Sequence, residues 1–285
     1  MDWVNEIFLD PLQYQFMERA LIAAVLVGLI SGVTGTFVVV RGMTFLGEAL
    51  AHSILPGVAL AFIYGRDLFL GGLIAGVGTA LGIGWLTREK RLKDDTVIGV
   101  VFAGMFALGI AIISTTSSYS VDLTHVLFGN VLGVNSRDLW ILAICGIGIA
   151  LIVLIFYADL LVISFDPVLA KTLKLRVESL RLLLLVLIAV TIIASLQTVG
   201  IALMLAMLVT PAATARLLVK RLHHMIVLAS GLGAFSGATG LYISFHGDVS
   251  SGPAIVLTAT AIFVVVYAVS GIRRRHSNGL HPVHQ

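Results

Sequence analysis

Apolar runs of roughly twenty residues recur along this chain, and short polar segments separate them. A run of that length crosses a hydrocarbon layer of about 30 Å as a helix. Inside lipid every backbone N–H and C=O must be satisfied within the segment, which leaves the helix as the solution for such runs. The expected fold is therefore an all-α polytopic membrane protein. Charged residues make up 12% of the 285, well under the roughly 25% usual in soluble domains, and 59% are hydrophobic. With a mean hydropathy of +1.06 the chain holds too little polar surface to cover a soluble core.

The spans are expected near 19–40, 44–64, 68–86, 96–116, 138–158, 224–245 and 253–271. Residues 1–18 then form an N-terminal segment outside the cell, and 272–285 a flexible cytoplasmic tail. The stretch from Leu182 to Val209 is too long for one straight crossing at about 1.5 Å per residue. It either tilts as one helix or breaks near Gln197-Thr198-Val199-Gly200, giving eight or nine spans. Basic residues concentrate on the cytoplasmic side of membrane proteins. Nine spans with an external N-terminus leave only Arg19, Arg66 and Arg137 of the 18 Lys and Arg residues on the outer side. Nine is the preferred count, and a re-entrant segment at 199–217 would give the same sidedness.

Several function classes fall away. The net charge of +3 is spread over short loops and forms no continuous patch, so nucleic acid is not the partner. Cys145 is the one cysteine, which excludes a disulfide framework or a thiolate metal site. The start carries Asp2, Glu6 and Asp10 with no Lys or Arg, unlike a cleaved signal, so the first apolar segment is expected to remain as a span. No GxxxxGK[ST] stretch is present, so any ATPase that drives this protein must be another chain.

Glu48 and His52 interrupt the second span. They are four residues apart and project from one helix face. A carboxylate and an imidazole inside a membrane bundle are costly unless they meet each other, water or a cation. Both are good ligands for Mn²⁺, Fe²⁺ or Zn²⁺. Two ligands from one helix are too few for a tight site, and a second copy or a partner helix would supply the rest. A Glu–His hydrogen bond that only fixes packing is the alternative. Pro56 and Gly57 favour a kink just beyond His52, where a freed carbonyl is a further candidate ligand.

Other polar residues offer weaker signals. His125, and the pair His246 and Asp248, fall in outer loops and are candidate entrance residues, with plain solvated loop chemistry as the alternative. On the cytoplasmic side, Asp166 followed by Pro167 reads as a helix N-cap and first position. Val168, Leu169, Leu173 and Leu175 give that short helix an apolar side, with Lys171 and Lys174 on the wetter part. An amphipathic helix of this kind can seat in a partner's groove or lie along the interface.

The stretch from Arg41 to Ala59, with Leu127-Phe128-Gly129-Asn130-Val131-Leu132-Gly133-Val134, Ser164 to Ala170, Thr210-Pro211-Ala212-Ala213-Thr214-Ala215-Arg216-Leu217 and Pro253, resembles the membrane permeases of bacterial manganese/zinc/iron ABC importers. The matches run in order from about 20 to 271, and jointly they are specific. The resemblance implies a homodimeric permease of the type related to vitamin B12 and iron-chelate permeases, in the bacterial cytoplasmic (inner) membrane. It implies docking of a cytoplasmic ABC ATPase dimer on the coupling segment 164–176, with Phe165, Asp166, Pro167, Ala170 and Leu173 in contact. It implies an extracytoplasmic metal-binding protein that delivers the ion. The metal-coordinating positions of that family fall on Glu48 and His52. The commoner acid there is Asp, so Glu48 reaches one methylene further.

The expected function is that of a non-catalytic permease subunit for divalent metal import, with Mn²⁺ as cargo, no resident cofactor and alternating access as mechanism. Zn²⁺ or Fe²⁺ is the alternative cargo. A metal-chelate permease and an ATP-independent metal transporter are the competing classes.

Overall fold

The computed structural model describes residues 10–89, 92–115 and 131–278. The helices are α1 (Gln15–Val40), α2 (Thr44–Ser53), α3 (Leu55–Ile63), α4 (Leu68–Leu86), α5 (Asp94–Ser114) and α6 (Ser136–Ile155). They continue with α7 (Tyr157–Phe165), α8 (Pro167–Thr172), α9 (Val177–Val199), α10 (Ile201–Leu218), α11 (Leu222–Gly247) and α12 (Ser251–Asn278). Among the described residues, 9 helices are long and apolar enough to cross a membrane, with α2 and α3 counted together as Thr44–Ile63.

The long apolar stretch does break, and Gly200 breaks it. Its φ of 79° and ψ of 172° lie where a β-carbon is poorly tolerated, so glycine separates α9 from α10 with no intervening loop. The second half, α10, is 18 residues with a hydropathy of 1.8. Two expected boundaries move by four residues or more. α1 starts at Gln15 rather than 19, after a 3₁₀ turn at Pro11–Gln13. α12 runs past 271 to Asn278, because Arg273 to Asn278 contains no Pro or Gly to stop it.

α1 and α9 sit at the centre of the bundle. Each has 72% of its most apolar window buried, against 17% for α5 and α12 and 22% for α6. Met17, Phe37, Leu184, Ile188 and Ile192 are fully enclosed there. At the level of Gly28 and Gly233, α1 and α11 touch backbone to backbone: a β-carbon on Gly28 would lie 2.4 Å from the Gly233 carbonyl carbon. Small residues permit that approach where apolar burial gives no preference for protein over lipid.

At the basic end of the bundle, arginines close helix termini. Arg216 Nη1 donates to the Val39 carbonyl at 2.7 Å, at the end of α1. The Arg181 guanidinium donates to the carbonyls of Gly84 and Thr87 at the end of α4, and pairs with Glu178 at 3.3 Å. Carbonyls in the last turn of a helix lack the regular i+4 donor, and a cation also suits the negative end of the helix dipole. Arg41 lies close by, with Nη1 buried and unpartnered among the described residues. Burial pulls its guanidinium below the ordinary value, and Arg181 acts in the same direction against Asp94. At the opposite end, Arg137 of α6 pairs with Asp67, which caps α4 by accepting from the Leu70 N–H at 3.1 Å.

Candidate functional site

The second crossing is two helices in series. α2 ends at Ser53, whose hydroxyl donates to the Ala49 carbonyl at 2.6 Å, and α3 starts at Leu55 with Pro56 in its first turn. Pro56 has no N–H to offer the His52 carbonyl, so the interruption falls at Ile54, where the sequence pattern places a kink. Gly57 has a second reason to be glycine that the sequence did not disclose. It meets Gly71 of α4, and a β-carbon on it would lie 2.1 Å from the Gly71 carbonyl oxygen.

Glu48 and His52 stand on the same side of α2, ahead of that break. Glu48 is exposed and His52 is half-buried, while Ala49, Leu50, Ala51 and Ser53 around them are buried in the bundle. Neither side chain has a hydrogen bond or ion pair among the described residues, to one another or to any other group. The packing-only alternative, an internal Glu–His hydrogen bond, is therefore not what the fold builds. No third His, Cys, Asp or Glu joins them to make a metal-holding group among the described residues. The Glu48 carboxyl group, exposed within the second span, thus has no partner in the protomer among the described residues. α5 forms the neighbouring wall, with Phe102 and Phe106 against the His52 ring at centroid distances of 5.8 and 5.5 Å.

A match to the ABC 3 transport family covers residues 13–270, nearly the whole chain. The chain belongs to the ABC 3 transport family. The manganese transport system membrane protein MntC of Listeria monocytogenes is 48% identical over 92% of this chain and 93% of its own length. Among solved structures, PsaBC from Streptococcus pneumoniae in complex with Fab matches with a TM-score of 0.81 and 40% identity, covering 93% of this chain and 95% of that one. A metal-chelate type ABC transporter in an inward-facing conformation matches with a TM-score of 0.70 over 88% of this chain and 85% of that one. At 17% identity it supports the fold alone.

In this ABC 3 family member the other sequence candidates are placed as follows. His246 is exposed in the last turn of α11, and its Nδ1 lies 3.0 Å from the Tyr242 carbonyl of the same helix. Asp248 ends that helix in the left-handed region with φ 48°. Both side chains are exposed, and no bond joins them. His125 lies outside the described residues.

The start of the short helix α8 follows the sequence reading, but the helix ends at Thr172, ahead of Leu173 and Leu175. Asp166 accepts from the Val168 and Leu169 N–H groups at 3.0 and 2.9 Å, and Pro167 is the first helical residue. Ala170, expected among the docking contacts, is fully buried and so anchors the helix against the bundle instead of facing a partner. Phe165, Val168, Leu169 and Leu173 are 59%, 74%, 46% and 55% exposed, so its apolar side faces away from the bundle. Lys174 then takes φ 58°, and the Leu175 N–H returns to the Ala170 carbonyl at 3.0 Å. This turn fixes the angle at which α8 meets α9.

The sequence reading missed Phe102 and Phe106. Their four-residue spacing on one face of α5 is visible in the sequence, yet the same pattern serves ordinary apolar packing. It also missed the carbonyl-binding work of Arg181 and Arg216, since loop basic residues usually report sidedness alone.

Proposed function

We propose that this chain is the transmembrane permease subunit of an ATP-driven importer of divalent metal ions, with Mn²⁺ as cargo. The observation that carries the reading is the unpartnered Glu48 carboxylate beside the His52 imidazole, on the open face of a membrane helix. An ionised carboxylate is too costly to hold there without a compensating charge. A small divalent cation supplies that charge, and a carboxylate with a neutral imidazole is a donor set suited to Mn²⁺. The 48% identical Listeria relative, named for manganese transport, supports the choice of ion.

Two donors do not complete a coordination shell. The second copy of the chain completes it, bringing its own carboxylate and imidazole across the open face. An extracytoplasmic metal-binding protein releases Mn²⁺ above the pair, and the ion sheds water as the donors take hold. The basic end of the bundle faces the cytoplasm, following the charge rule, and α8 lies on that side. A cytoplasmic ATPase dimer seats on the exposed apolar side of α8, and its nucleotide cycle moves that helix and opens the path inward. This chain binds and releases the ion and carries out no bond-making chemistry. A protonated imidazole has no lone pair for a metal, so acid weakens loading.

Reconstitution with the ATPase separates this reading from an ATP-independent carrier. Proteoliposomes holding both chains accumulate labelled Mn²⁺ only when ATP is supplied on the ATPase side. Equal uptake without ATP, or without the second chain, overturns it.

A further inference from the structure

We infer that Phe106, braced by Phe102, is the positioning residue for the His52 imidazole and fixes the direction in which it offers its lone pair. The inference rests on the metal-import reading above and names what aims one of its two donors.

A metal-binding histidine ordinarily donates its second ring N–H to a carbonyl or carboxylate, and that bond sets ring orientation. His52 lacks such a partner: no hydrogen bond reaches either ring nitrogen from any described residue. Aromatic contacts hold it instead. The Phe106 ring lies 5.5 Å away at 76°, an edge-on contact, and the Phe102 ring 5.8 Å away at 54°. Phe102 and Phe106 are stacked on one another at 5.8 Å and 23°. Phe45, one turn before Glu48 on α2, closes the far end edge-on to Phe102 at 6.1 Å and 84°. Two rings of α5 are thus clasped between Phe45 and His52 of α2.

Edge-on and offset ring contacts at these separations are attractive and depend on angle, so they can orient an imidazole in a way that aliphatic packing does not. The same rings lie against one flank of His52. Because the clasp joins two helices, a shift of α5 against α2 turns the imidazole and changes its grip on the ion. Ring orientation is thereby tied to helix movement.

The test is the kinetics of Mn²⁺ uptake in cells lacking other manganese importers, with membrane levels of each variant measured. Phe106→Leu keeps the bulk and loses the ring; Phe106→Tyr keeps the ring. The expected result is a KM for Mn²⁺ about tenfold higher in Phe106→Leu, with the maximal rate per chain changed less than about twofold. Phe106→Tyr stays near wild type. An unchanged KM in Phe106→Leu overturns the inference, as does an equal loss in Phe106→Tyr. If Phe106→Leu does not reach the membrane, Phe102→Leu is judged by the same criterion. His52→Ala runs in parallel: wild-type uptake there removes the metal-site reading itself. An inactive His52→Ala beside an unaffected Phe106→Leu removes the positioning role alone.

Discussion

Gly57 of α3 and Gly71 of α4 are in mutual backbone contact, each occupying the space in which the other's side chain would sit. A β-carbon on Gly71 would lie 2.4 Å from the Gly57 carbonyl oxygen, and no rotamer change relieves a clash with backbone. The contact lies one turn beyond His52, so it sets where the second crossing resumes after its break.

Gly57→Ala is accordingly expected to cost about 1–3 kcal/mol, the usual range for forced overpacking. Gly78→Ala, on the same α4 but with open space around it, is the control and is expected to be neutral or slightly stabilising. Thermal unfolding of the purified protein in detergent reads the difference. Equal midpoints for the two variants would show that the close approach does not constrain the bundle.

The exposed apolar side of α8 leads to a separate expectation for assembly. Val168→Glu or Leu169→Glu places a charge on that side and leaves the buried Ala170 anchor intact. The variants reach the membrane at normal levels, and the ATPase no longer co-purifies with them. Asp166→Ala acts through the helix rather than the contact. It removes the acceptor of two N–H groups, worth about 1 kcal/mol, and weakens the complex less than a glutamate on the face does. Undiminished co-purification of the ATPase with Val168→Glu would move the docking site elsewhere.

Asp67 carries a pH dependence whose sign follows from its partners. The Leu70 N–H first, and then the Arg137 guanidinium, hold its carboxyl below the ordinary carboxylate value. A depressed folded-state pKa contributes stability above the ordinary value, and that contribution is lost as pH falls through the lowered one. Asp67→Ala therefore lowers the thermal midpoint near neutral pH, and the gap to wild type narrows on acidification below about pH 4. Asp67→Asn keeps an acceptor for the Leu70 N–H and loses less. A gap that stays constant or widens on acidification would contradict the assignment.

Much of this architecture is legible in the residues because lipid imposes length on each span. The run at 68–86 needs no adjustment, and the break near Gln197 to Gly200, which length alone left open, follows the distribution of basic residues. Asp166-Pro167 announces α8 because capping is chemistry local to a few residues. The pair Glu48 and His52 stands out because ionisable groups are expensive at that depth. Contacts between helices are a different matter. Phe106 on His52, Gly71 on Gly57 and Arg181 on the carbonyls of α4 each join residues distant in sequence, and no local periodicity encodes which apolar faces meet. The charge pattern grouped Arg181 with Arg41 without revealing what it binds.

In the proposed mechanism a metal ion passes between the Glu48 carboxylate and the His52 imidazole, and Mn²⁺ uptake by single variants tests this most directly. Glu48→Ala and His52→Ala, present in the membrane at wild-type levels, are expected to lose uptake by at least about tenfold, the scale of a lost metal contact. Glu48→Asp, which keeps the carboxylate, retains it. Wild-type uptake by both alanine variants would contradict the account.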